Sequence, residues 1–167
     1  MSDATSSDSN EVSGPLRGVR VLDLGTLLAG PVSATLLGDF GAEVIKIEQP
    51  GIGDTLRGGR VEEGEPPRLN WLVEGRNKRS VTVNLREERG QELVRRLAAT
   101  VDVVVENFTP GTLERWGLGW DDLQAVNPDL IMVRVSGFGQ TGPYAKRAGY
   151  DRIALGVSGY LYPTGSP

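Results

Sequence analysis

Alternation between short β-branched runs and helical stretches constrains this chain more than any other feature. Val19 to Leu24 (VRVLDL) reads as a strand, Gly25 to Gly30 as a turn, and Pro31 suits the opening of a helix that reaches about Phe40. Val32, Leu36, Leu37 and Phe40 share one face of that helix, as a packing stripe does. Gly41 stops it and Glu43 to Glu48 (EVIKIE) forms a second strand, so the unit is a βαβ with a parallel, right-handed crossover. The pattern continues with a strand at Val81 to Asn84, a helix at Glu87 to Ala99 burying Leu93, Val94 and Leu97, and a strand at Val101 to Val105. Short helices at Thr112 to Trp116 and Asp121 to Val126 precede a fifth strand, Leu130 to Val135. The expected class is α/β, a Rossmann-like, doubly wound, mostly parallel sheet. Residues 1–14, rich in Ser and Asp, hold almost nothing to bury and read as a disordered tail, leaving one domain over 15–167. From Gln49 to about Leu69 glycine and proline dominate, which predicts a long surface loop.

The chemistry is narrowed by what the 167 residues omit. With no histidine and no cysteine, the chain offers no thiol nucleophile, no imidazole base, no zinc site of the usual ligands and no disulfide. Oxygen groups and lysine are left. Asp121 and Asp122 begin a helix, and Glu62, Glu63 and Glu65 stand in the glycine- and proline-rich loop, so solvated acids are expected there and no metal. A net charge of −4 with scattered arginines argues against a nucleic-acid partner. No apolar run reaches the roughly 18 residues that span a bilayer, and the N-terminus has neither a basic start nor an apolar signal core. No membrane association is expected, and a cytoplasmic location is.

Two glycine patterns invite a dinucleotide reading. Glu48 ends the second strand about where a ribose-binding carboxylate would stand, but Gly25 and Gly30 do not have the spacing that brings backbone against a pyrophosphate. Gly137, Gly139 and Gly142 (GFGQTG) do match G-x-G-x-x-G after a strand, yet no acidic residue follows about twenty positions on, the nearest being Asp151. NAD is therefore not expected. The second pattern reads as a glycine loop over a ligand or as a plain strand-to-helix turn opened by Pro143. Arg76, Asn77, Lys78 and Arg79, with Arg86 beyond the next strand, suit phosphate oxygens or a solvated strand edge. The ENFTPG segment from Glu106 stands at the C-terminal end of a parallel strand, where open sheets place ligands.

Four blocks in order, Pro15 to Asp54, Gly75 to Leu85, Val103 to Leu123 and VRVSGFGQTGPYAKRAGYDRIALGVSG at Val133 to Gly159, resemble family III CoA-transferases, the formyl-CoA and carnitine CoA-transferase group. The resemblance implies a large Rossmann-like domain, here its N-terminal part, and coenzyme A or acyl-CoA as substrate with a carboxylic acid as acceptor. It implies CoA contacts at Val83, Leu85, Arg86, Asn107, Phe108 and Arg115, with Phe108 stacking on adenine and Asn107 bonding it. The family's aspartate nucleophile stands in a Gly-Asp context past the position of Pro167, so the chain is expected to be an inactive fragment by itself. Members form interlocked homodimers. Some carry arginine where Gln49 stands and glutamine where Leu28 stands, beside the reacting thioester. The related α-methylacyl-CoA racemases place histidine at the position of Tyr150, which disfavours racemisation here. Tyr150 is then a packed aromatic or a supporting residue, and Asp151 is a second carboxylate near the nucleophile or a helix N-cap.

Overall fold

The computed structural model describes residues 14–58 and 68–165. Most of the expected N-terminal tail, together with Glu62, Glu63 and Glu65, lies outside the described residues. The described strands are β1 (Arg20–Asp23), β2 (Glu43–Glu48), β3 (Lys78–Thr82), β4 (Val103–Glu106) and β5 (Ile131–Arg134). They form one sheet in the order β3-β2-β1-β4-β5, with every pairing parallel. Helices cover both faces. Helix α1 (Ala29–Asp39) packs over Val21, Val44, Val103 and Val105 through Ala34. On the other side α3 (Glu88–Ala98), α4 (Thr112–Arg115) and α5 (Trp120–Val126) bury Val94, Leu113 and Leu123 against Leu22, Leu24, Ile47 and Val104. Helix α2 (Leu69–Glu74) follows a 3-10 turn at Thr55–Arg57, and α6 (Asp151–Val157) ends the described elements.

The fold class is as expected, and several details differ for physical reasons. Helix α1 begins two residues before Pro31 and buries Gly30, Pro31, Ala34 and Thr35. Leu36 and Phe40 are half exposed instead. Small residues let the helix approach the sheet closely: a Cβ at Gly38 would lie 3.3 Å from both Val44 and Asn77. Strand β3 starts at Lys78, not Val81, because its pairing with Val44–Glu48 begins there. It is an edge strand with mostly exposed side chains, so hydrophobic pattern does not mark its start. In α3 Val94 is buried as expected, Leu97 packs in part, and Leu93 faces solvent. The loop expected from Gln49 to about Leu69 holds the 3-10 turn, an unforeseen α2 begins where it ends, and Pro143 opens no helix.

Candidate functional site

Strand order reverses between β1 and β4, so their C-terminal ends diverge into a crevice. The loop after β1 is built from its backbone outward. The Gly25 N–H donates to Asp23 Oδ1 at 2.9 Å, and Lys46 Nζ donates to the Gly25 carbonyl. Next to it the Thr26 N–H donates to Asn107 Oδ1 at 2.7 Å while Asn107 Nδ2 donates to the Thr26 carbonyl at 2.8 Å. Side chains from β1, β2 and the start of the β4 loop thus satisfy four consecutive backbone groups. A Cβ on Gly25 or Gly30 would stand 3.2 Å from Asn107 Oδ1, which is why glycine occupies both positions. Leu27 follows in the left-handed region at φ 64°, and Leu27 and Leu28 project into the crevice.

Beneath the loop lies a buried charge cluster that sequence reasoning missed. Asp23 Oδ2 is 2.8 Å from Lys78 Nζ and 3.6 Å from Lys46 Nζ, and Lys46 Nζ is 3.2 Å from Asp54 Oδ2. Burial lowers the Lys78 pKa against the opposing pull of Asp23. The signal available in the sequence was polar residues at alternate positions of apolar strands, Asp23 in VRVLDL and Lys46 in EVIKIE, which the pleat places on the α1 face. Glu48, on the same face, accepts from Arg57 Nε at 2.6 Å and Arg57 Nη2 at 2.8 Å, from the Asp54 N–H at 2.8 Å and from the Ser80 hydroxyl. Burial raises its pKa, but these donors outweigh burial and hold the carboxyl at about 2. Its acceptor capacity is committed inside the protein, which removes it from any ribose-binding role.

Two adjoining clefts open at the strand ends. The larger, of about 540 Å³, is lined by Leu27, Leu28, Asn107, Phe108, Tyr150 and Asp151, among others. The smaller, about 100 Å³, is lined by Leu24, Val83, Leu85, Arg86, Phe108 and Trp116, among others. Phe108 lies on the wall of both and meets Trp116 edge-on at 5.5 Å. Of the residues singled out in the sequence, Val83, Leu85 and Arg86 gather in the smaller cleft, and Asn107, Tyr150 and Asp151 in the larger. Arg115 lines neither; its Nη2 donates to Thr112 Oγ1 at 3.0 Å.

Other expectations change. Arg76 and Asn77 both bond Asp39, Lys78 bonds Asp23, and Arg79 bonds Glu43, so four of the five basic-cluster residues already hold carboxylates. Of that cluster only Arg86 faces a cleft. Tyr150 is not packed but 72% exposed, and it is itself the N-cap residue of α6. Asp151 is the first residue inside α6 and makes no capping bond, which removes the N-cap reading. In GFGQTG, Gly137 lines the larger cleft, where a Cβ would come 2.2 Å from the Gly149 Cα; Gly139 and Gly142 touch nothing comparable. Among the described residues no group of acidic side chains is arranged to hold a metal, and no helix is long and apolar enough to cross a membrane.

Comparison with known proteins is consistent with this geometry. The family described as CoA-transferase family III matches residues 16–167. The succinyl-CoA–D-citramalate CoA-transferase of Chloroflexus aurantiacus is 56% identical over 92% of this chain and 38% of that protein. The mouse succinyl-CoA:glutarate CoA-transferase is 47% identical over 90% of this chain and 35% of that protein. A crystal structure of a CAIB/BAIF family protein from Brucella suis superposes with a TM-score of 0.84 at 46% identity, over 92% of this chain and 42% of that one. The chain therefore spans under half the length of these relatives. The ordered match of sequence blocks, the parallel sheet and the crevice at its switch point have one family in common, and the chain belongs to CoA-transferase family III.

Proposed function

We propose that the protein carrying this chain moves CoA from an acyl-CoA donor to a free carboxylic acid, and that this chain supplies the CoA-binding part of its Rossmann-like domain. The observation that carries the reading is Phe108, which stands between a cleft holding Arg86 and a cleft holding Tyr150 and Asp151. An extended ligand with an anionic, aromatic head and a reactive tail fits that path. The head meets Arg86 and the Phe108 ring, and the tail runs past Leu27 and Leu28 toward Asp151.

The chemistry we propose is nucleophilic. An aspartate from the segment that follows this chain in the family attacks the thioester carbonyl, giving a mixed anhydride and free CoA thiolate. The thiolate then attacks the aspartyl carbonyl, releasing the donor acid and leaving an enzyme thioester, and the acceptor acid reverses both steps. No net redox change or metal is required. In this scheme Asp151 lies beside the nucleophile, and Leu28 gives the thioester an apolar neighbour in place of the glutamine of some relatives. The interlocked homodimer of the family is part of the proposal, and half-exposed Leu36, Leu72 and Phe40 offer apolar surface for it.

Isotope exchange between an acyl-CoA and labelled free acids tests the reading. The intact gene product should exchange label and this chain alone should not; turnover by the chain alone contradicts the assignment of the nucleophile. Arg86→Ala should weaken CoA binding about tenfold in titration calorimetry, the loss of one charge-assisted phosphate contact, and Arg115→Ala should weaken it less, because Arg115 reaches a ligand only by releasing Thr112 Oγ1. Unchanged affinity in a folded Arg115→Ala variant removes that residue from the site, as its place outside both clefts allows.

A further inference from the structure

Resting on the CoA-transferase reading, we infer that Arg134 is a positioning residue for the head of CoA, acting through Glu106 and Glu114 to fix Phe108 and Trp116, the two rings on the wall of the smaller cleft. Glu106 and Arg134 are register partners at the C-terminal ends of β4 and β5. Alternation along β4 puts Glu106 on the same face as Val104, under α3, α4 and α5. Glu106 is fully buried there. Its Oε1 accepts from Arg134 Nε at 2.7 Å, and its Oε2 accepts from the Phe108 N–H at 2.7 Å. On the other side of the guanidinium, Arg134 Nη1 donates to Glu114 Oε1 at 2.7 Å. Glu114 lies in α4 just ahead of Trp116, whose N–H bonds the Leu113 carbonyl at 3.0 Å. One guanidinium thus holds both the loop that carries the first ring and the helix that leads into the second.

A buried ion pair adds little net stability over apolar residues of the same volume, because the desolvation of both charges offsets their attraction; what its directional bonds supply is a fixed geometry. The geometry fixed here is the edge-on contact of Phe108 and Trp116 at 5.5 Å. The cleft that these rings wall is only about 100 Å³, so a small shift of either ring changes what it accepts. The three side chains that end β4 and begin its loop divide the work. Glu106 holds the Phe108 N–H from inside the fold, Asn107 ties the loop to the Thr26 backbone, and Phe108 is left to meet ligand. Arg134 touches no ligand in this arrangement and acts only through the carboxylates that it orients.

The test combines Glu106→Leu with Arg134→Met in the intact gene product, since replacing both members of a buried pair by apolar residues preserves folding where removing one does not. In titration calorimetry CoA and AMP, the latter carrying the adenine head alone, should each bind the double variant about tenfold more weakly than the parent, the worth of one well-placed base stack. Pantetheine, which lacks the head, should bind both proteins equally. Arg134→Lys, able to keep the Glu106 bond but not both bonds, should lose less. In protein carrying isotope-labelled phenylalanine, the Phe108 amide proton, identified by its absence in Phe108→Leu, should lie downfield, as a bond to a carboxylate requires, and move upfield in the double variant. Undiminished CoA and AMP affinity in the folded double variant overturns the inference, as does an equal loss for pantetheine, which marks a general loosening. Should the double variant not fold, Arg134→Lys carries the comparison, and undiminished CoA and AMP affinity there overturns the inference. Failure of the unmodified protein to bind CoA contradicts the transferase reading instead; the Phe108 amide needs no ligand, and its staying in place in the variants overturns the role of Arg134 separately.

Discussion

Asn107 commits both ends of its amide to the backbone of Thr26, so a substitution there separates support of the loop from contact with ligand. Asn107→Asp keeps the acceptor for the Thr26 N–H but turns the donor facing the Thr26 carbonyl into a second acceptor. It should cost roughly 1–2 kcal/mol in urea unfolding and weaken CoA binding as the Leu27 wall loosens. Full stability with lost CoA affinity would instead make Asn107 a direct CoA ligand. Glu48 gives a second test. Its carboxyl is held at about 2, below an ordinary 4.5, so its stabilisation is complete above the ordinary value and is lost as pH falls through about 2. Glu48→Gln should destabilise the chain at pH 7 by roughly 3 kcal/mol or less, and its stability curve should converge on the parent's near pH 2. A constant gap across that range contradicts the ion-pair account. The resemblance picked out Asn107 and Phe108 in the sequence, but the clamp was not visible there. It joins residues 81 apart in the chain, and the close approach of Gly25 and Gly30 to Asn107 shows only in the fold.

Among elements, those with a strong pattern were legible and those held by electrostatics were not. Strands β1, β2, β4 and β5 carry β-branched runs and lie within a residue or two of where the pattern puts them. Strand β3 opens with a lysine and an arginine, and its start is set by pairing to β2 and by Lys78 reaching Asp23 and the Pro31 carbonyl. Carboxylates of Asp39, Asp23 and Glu43 likewise hold the basic cluster that reads as a phosphate site. Helix α2, just after the loop rich in glycine and proline, went unseen because none of its residues is buried, leaving no stripe to find. The GFGQTG loop was legible as glycine-rich but not as a contact. Gly137 meets Gly149 across the approach to α6, so Gly137→Ala should destabilise the chain by about 1–3 kcal/mol, measured by thermal or urea unfolding. Gly139→Ala meets no neighbouring atom but must adopt a φ of 79°, so its cost is backbone strain alone. A loss at Gly137 no larger than that at Gly139 contradicts the close packing.

For the molecule as a whole, the sheet and its two helix layers position the two clefts proposed for CoA, and exposed apolar side chains mark the faces proposed for assembly. Leu69, Leu72 and Val73 on α2, and Tyr150, Ile153 and Val157 at the last helix, are all exposed. The chain by itself should associate with rising concentration in sedimentation velocity; a single monomeric species throughout contradicts a role for these faces in assembly. The central claim is that one CoA molecule runs from the Arg86 cleft, past Phe108, into the cleft of Tyr150 and Asp151. An amide NMR titration of the chain with CoA tests it most directly. The account predicts shifts concentrated at residues 84–86, 107–109 and 148–151. Shifts elsewhere, or none at millimolar CoA with the fold intact, would contradict it.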